Sequence, residues 1–157
     1  MRSVRVLSTI AAVGTFLVIV VGKIVRVTGA SKSIPDWPLA FGRLVPEMTP
    51  LVFWEWSHRL LVLLVFFVMV ALVFCAARLP GKLWMYCATS LLLVVVTALI
   101  GGLSILYRLH WVFAALDQAF AMLFFASLVG LAVWSRMVDG PTTERQATVV
   151  GMASRTS

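Results

Sequence analysis

Long apolar runs separated by short polar breaks dominate this chain. Four runs are each long enough to cross a bilayer, which takes about 20 helical residues. We therefore predict an all-α membrane protein, a four-transmembrane-helix antiparallel bundle. Its helices are expected at about 5–25, 52–77, 83–106 and 111–138. Residues 1–138 are predicted to form a single transmembrane domain, and the polar residues 139–157 a cytoplasmic tail.

The breaks between the runs differ in composition and predict different connections. Residues 27–51 contain four prolines and two glycines, which is typical of a turn-rich external loop. Residues 78–82 contain one proline and one glycine between two basic residues, which predicts a tight helical hairpin. Asp139-Gly140-Pro141 is expected to end the fourth helix.

The first run has a competing interpretation as a cleaved signal peptide. Arg2 and Arg5 precede it, and small residues follow at Thr28-Gly29-Ala30. The run is long for the apolar part of a signal peptide, however, and Lys23 and Arg26 lie before the small residues. We therefore predict that it is a retained membrane helix.

Tryptophan positions test the register of the helices, because Trp is enriched at membrane interfaces. The starts of helices 2 and 4 carry Trp at positions 54, 56 and 111. On the opposite membrane face, Trp84 lies at the start of helix 3 and Trp134 near the end of helix 4. Seven of the 13 Lys and Arg residues lie on the side of the N-terminus. This small excess favours two cytoplasmic termini in a multi-pass protein of the cytoplasmic (inner) membrane.

The composition agrees with a membrane protein and restricts its partners. The chain is 62% hydrophobic, against roughly half for a soluble domain. The net charge of +7 comes from residues at the ends of apolar runs, so we interpret them as membrane anchors and expect no nucleic-acid partner. Cys75 and Cys87 are expected to pack rather than to form a disulfide.

Three ionisable residues in the first turns of helix 2 mark a candidate site. Glu55, His58 and Arg59 share one helix face, and each costs roughly 2–3 kcal/mol or more if it faces lipid. His58 is a candidate haem ligand, although a buried His that only hydrogen-bonds across helices is the alternative. Glu55 either accepts a proton or pairs with Arg59 one turn later.

The remaining candidates lie on helix 1 and helix 4. Arg26, like Arg59, is placed to hold a haem propionate or a phospholipid headgroup. His110 and Asp117 are candidates for a second axial ligand, and they differ in depth by about 10 Å. Equal depth favours Asp117 opposite His58. Because carboxylate is a poorer iron ligand, either helix 4 is shifted to bring in His110, or the iron has one His and a weak or open position.

Several segments of the chain resemble the heme A synthase family. These membrane enzymes oxidise the methyl group of heme O to the formyl group of heme A during cytochrome oxidase assembly. The resemblance implies that Glu55 is the catalytic carboxylate, that His58 ligates iron, and that the cofactor is haem b or heme O/heme A. The matching segments, in order, are Gly22–Gly29, Pro35–Leu39, Glu55–Arg59 and Ile100–Leu106.

The chain departs from this family in three respects. It corresponds to one half of an eight-helix protein, so we predict a homo-oligomer or a place in a larger respiratory membrane complex, with Gly101 and Gly102 allowing close helix approach. Ile34 and Ala40 stand where family members often carry cysteines, which excludes a thiol role there. Asp117 occupies the position at which the family carries a histidine in helix 4.

Two functions follow from these features. The first is a heme A synthase-like oxidoreductase, which the retained Glu55 favours. The second is a non-catalytic four-helix subunit of a respiratory complex, with or without haem b, that serves packing or electron transfer. The replacement by Asp117 favours this second function.

Overall fold

The computed structural model describes residues 1–107 and 111–138, and four long helices make up most of them. Helix α1 packs against α2 and α4, and α3 packs against the same two helices. Consecutive helices run antiparallel, so the predicted fold class is confirmed. The helices are α1, Arg2–Val27; α2, Pro50–Ala77; α3, Leu83–Leu106; and α4, Trp111–Val138.

Each of the four helices contains a segment long and apolar enough to cross a membrane, and the chain is a multi-pass membrane protein. Helix α1 begins at Arg2, before the predicted position, because Val4 and Ser8 are buried and extend its inward face. Helix α2 begins at Pro50, and the Thr49 hydroxyl before it accepts a hydrogen bond from the Val52 N–H at 3.4 Å. A capping Thr followed by Pro is a favoured helix start.

The apolar core lies in the half of the bundle nearer the connection between α2 and α3, which we call the hairpin end. Its fully buried members include Met69 and Leu72 of α2, Cys87 of α3 and Leu128 of α4. Cys75 and Cys87 are both free thiols. Arg26 at the end of α1, and Glu55, His58 and Arg59 near the start of α2, lie in the opposite half, which we call the loop end.

The loop between α1 and α2 covers residues 28–49 and includes a short 3-10 helix, Ala30–Lys32. Gly29, with φ of 75°, turns the chain out of α1, as glycine does after many helices. Farther on, Ala40 and Arg43 exchange two backbone hydrogen bonds of 2.9 and 3.0 Å. The two residues between them both have positive φ, which is the backbone of a tight two-residue hairpin turn.

Candidate functional site at the loop end

Arg59 connects α2 to the loop. Its Nε donates to Glu55 Oε1 at 2.9 Å, and its Nη1 donates to the backbone carbonyls of Asp36 at 2.9 Å and Leu39 at 2.8 Å. Glu55 is only 4% exposed, and its ion pair with Arg59 compensates its charge within the protein. The pairing of Glu55 with Arg59, one of the two roles considered for Glu55, is thus observed. Sequence reasoning missed the contacts of Arg59 with the loop.

Asp36 holds the hairpin turn together from inside the loop. Its carboxylate oxygens accept hydrogen bonds from the backbone N–H groups of Phe41 at 2.7 Å and Gly42 at 2.8 Å. These bonds, that from Gly42 foremost, hold the pKa of Asp36 below its usual value. The turn is therefore built around an ionised carboxylate. An Asp shortly before a glycine in a proline-rich loop was the available sequence signal.

Trp37 inserts its indole ring against α3. A Cβ placed on Gly102 would lie 2.6 Å from Trp37 Cδ2 and 2.8 Å from Cε2. No side chain larger than hydrogen fits at position 102 while the ring stays in place. Gly102 thus accommodates the loop, whereas the glycine pair was predicted to allow close helix approach.

His58 lies on the face of α2 that packs against α1. A Cβ on Gly22 would lie 2.9 Å from His58 Cε1, so this glycine makes room for the imidazole. The backbone of Val18 in α1 lies close enough to interact electrostatically with the ring. Its Nδ1 is buried and has no hydrogen-bond partner among residues 1–107 and 111–138. The ring thus packs against α1, and its Nδ1 is left for a further partner.

Asp117 and Arg26 lie near this group from the other helices. Asp117 Oδ1 would be 3.4 Å from a Cβ on Gly101, which places the carboxylate against α3. The exposed Arg26 is close enough to interact electrostatically with both His58 and Asp117. His110 falls outside the described residues. The structure thus groups Glu55, Arg59, His58 and Arg26 at the loop end, while the facing of Asp117 and His58 remains a prediction.

An open cleft of about 350 Å³ lies where α1 ends. Arg26 and Lys32 give it two cationic side chains, and Ser104 of α3 and Ala114 of α4 form its far side. Such a lining favours an anionic group. Within the described residues, no three His, Cys, Asp or Glu side chains lie close enough together to hold a bare metal ion. A metal that is already coordinated by a porphyrin, by contrast, needs only one or two protein ligands.

Comparison with known proteins supports the resemblance seen in the sequence. The COX15-CtaA family, described as cytochrome oxidase assembly protein, matches residues 5–52. The heme A synthase of Bacillus pumilus strain SAFR-032 is 29% identical over 136 residues. The chain is thus similar to the COX15-CtaA family over α1 and the loop, and distantly similar to a heme A synthase over most of its length. That alignment covers 83% of this chain and 44% of the relative, so the chain spans less than half the length of the heme A synthase it matches.

The segment matched to the COX15-CtaA family contains the partners that position the site. Gly22, Asp36 and Trp37 lie within residues 5–52, whereas Glu55 and His58 lie just beyond them. Gly22 accommodates the imidazole and Trp37 docks the loop. In this chain the family match and the packing around the site therefore coincide over α1 and the loop.

Proposed function

We propose that the chain is a haem-binding membrane protein of the heme A synthase type, with His58 as an iron ligand at the loop end. The observation that carries the proposal is the buried Nδ1 of His58, which lacks a partner among the described residues beside a glycine that makes room for the ring. A metal-ligating His presents one ring nitrogen to the metal while its surroundings fix the orientation of the ring. The donor chemistry thus fits haem.

The cationic cleft at the end of α1 supports the same proposal. Haem carries two propionates, and Arg26 and Lys32 line a cleft of about 350 Å³, within the range of ligand sites, about 300–1,000 Å³. Arg26 also interacts with His58. Asp117 and His110 remain the two proposed sources of a second ligand, and the cofactor is haem b or heme O/heme A.

The proposed reaction is the oxidation of the methyl group of heme O to the formyl group of heme A. With water as the oxygen source, it releases four protons and four electrons for each methyl group, so it needs an electron acceptor such as a quinone or a redox protein. Glu55 is the proposed catalytic residue and would receive protons. Arg59 positions the Glu55 carboxylate by a 2.9 Å hydrogen bond.

The contacts of Arg59 also favour a second candidate, a non-catalytic four-helix subunit of a respiratory membrane complex, with or without haem b. Arg59 donates hydrogen bonds to Glu55 and to two loop carbonyls. Docking of the loop alone is therefore a sufficient role for Glu55 and Arg59. The chain spans 44% of its relative, so a second copy or another membrane subunit is proposed as its partner in either function.

Spectroscopy of the purified chain distinguishes these functions. A pyridine haemochrome spectrum should show bound haem in the wild type and in Ser57→Ala, the neighbouring control. His58→Ala should lose haem or change its spin state. Glu55→Gln, which keeps an acceptor for Arg59, should retain haem and lose conversion of heme O.

Each outcome has a distinct meaning for the proposal. Haem without conversion in the wild type would favour the electron-transfer subunit. If the wild type takes up no haem, a subunit that serves packing alone would be the remaining function. Haem binding unchanged by His58→Ala would refute ligation by His58.

A further inference from the structure

The loop exposes an apolar surface that the haem proposal does not use. Leu39 is 40% exposed, Phe41 52%, Leu44 81% and Val45 64%. Within residues 37–46 the sole charged side chain is Arg43. Exposed apolar patches of this kind mark interaction sites. We call these four exposed side chains the apolar tip.

One hydrogen bond and one shared cleft place the apolar tip beside the start of α2. The carbonyl of Leu44 accepts a hydrogen bond of 2.9 Å from Trp56 Nε1, and Trp56 is in the second turn of α2. Phe41 also lines a cleft of about 370 Å³ together with Val52 of the first turn. The tip is therefore level with the first two turns of a membrane-spanning helix.

The sequence of α2 fixes where this level falls in a bilayer. Residues Leu60–Ala77 contain no polar side chain besides the thiol of Cys75, and they span about 27 Å of helix, close to the hydrocarbon thickness of about 30 Å. Trp56 precedes this segment by one turn, about 6 Å. The interfacial layer on each side is roughly 5–8 Å thick. Trp56 and Leu44, whose carbonyl accepts its hydrogen bond, thus lie in that layer, where Trp is favoured.

The backbone of the loop is equipped for such a position. Non-helical backbone at membrane depth is tolerated where the protein itself satisfies the peptide groups. Asp36 accepts from the two N–H groups inside the turn, and Ala40 and Arg43 pair across it. Arg59 donates to two further loop carbonyls. Each of these groups is satisfied without water.

We propose that the apolar tip inserts into the interfacial layer of the bilayer, and that its partner is lipid. The tip then resembles an interfacial anchor, with apolar side chains toward the acyl chains and the single cationic residue Arg43 placed for lipid phosphate. This inference rests on the depth of the loop beside α2 and is independent of haem binding.

Spin labelling in phosphatidylcholine–phosphatidylglycerol nanodiscs tests the proposal. The parent chain carries Cys75→Ala and Cys87→Ala, and labels are attached to Leu44→Cys, to Val45→Cys and to the control Glu47→Cys. Collision with oxygen, which concentrates in lipid, is compared with collision with a water-soluble nickel chelate. The oxygen-to-nickel ratio should be several-fold higher at positions 44 and 45 than at 47.

Two results would overturn lipid insertion. Equal nickel accessibility at all three positions would place the tip in water. Labels at 44 and 45 that are shielded from both reagents would show that protein, such as a second copy of this chain, covers the tip. Hydroxyl-radical footprinting of the wild-type chain needs no substitution, and lipid insertion predicts that oxidation in nanodiscs, normalised to the intrinsic reactivity of each residue type, is lower at Leu44 and Val45 than at Glu47.

Discussion

Replacing Gly102 by alanine should release Trp37 from α3 and loosen the whole loop. The new methyl group would lie 2.6–3.0 Å from three ring carbons, so the indole must move. Overpacking of this kind typically costs about 1–3 kcal/mol. Alanine also stabilises a helix by about 0.8–1.0 kcal/mol relative to glycine, which offsets part of that cost.

Gly101→Ala is the matched control, because it brings the same gain in helix propensity. Among the described residues, its methyl group would meet only Asp117 Oδ1, at 3.4 Å. The difference between the two variants therefore isolates the Trp37 contact. We expect a difference of about 1–3 kcal/mol, equivalent to a 5–150-fold change in the opening equilibrium of the loop.

Hydrogen–deuterium exchange of peptides from residues 36–44, measured in nanodiscs, reports that opening. Exchange should rise in Gly102→Ala and stay near wild type in Gly101→Ala. Replacing the indole by a smaller side chain in the double variant Trp37→Leu/Gly102→Ala should restore part of the protection. Equal exchange in the two alanine variants would refute the docking of Trp37 on Gly102.

Three further predictions concern the site, the loop and the topology. Gly22→Ala should displace the His58 imidazole, since the new methyl group would lie 2.9 Å from Cε1, and a haem spectrum unchanged by it would contradict ligation by that ring. The lowered pKa of Asp36 means that the ionised form stabilises the loop above its unfolded pKa of about 3.9. Loop protection should be constant from about pH 7 to 5 and fall as the pH drops through the lower folded pKa. Cysteines at Lys32 and Arg145 should show opposite accessibility in sealed cells, and identical labelling would refute the proposed orientation.

The helices were predictable because their signal is local. An apolar run of membrane length reads as a helix whatever surrounds it, and α3 and α4 have the predicted bounds. The early start of α1 was missed, because Arg2 and Arg5 suggested a boundary. Charged residues are compatible with a helix that extends beyond the hydrocarbon.

The site was predictable only where it depends on spacing along one helix. Glu55 and Arg59 are one turn apart, so their pairing followed from sequence. The contact of His58 with Gly22 depends on how two helices are rotated about their axes, and that of Trp37 with Gly102 on a loop reaching a third helix. Neither rotation nor loop path is encoded in any short segment.

The anchors of the loop also determine where the chain can be lengthened. Trp37, Asp36 and Leu44 fix the first part of the loop to α3, to its own turn and to α2, so added residues there would break specific contacts. Glu47 and Met48 follow the last anchor and are exposed. Because doubling a flexible loop costs only about 0.6 kcal/mol, this short stretch is the place for an epitope tag or a fused reporter.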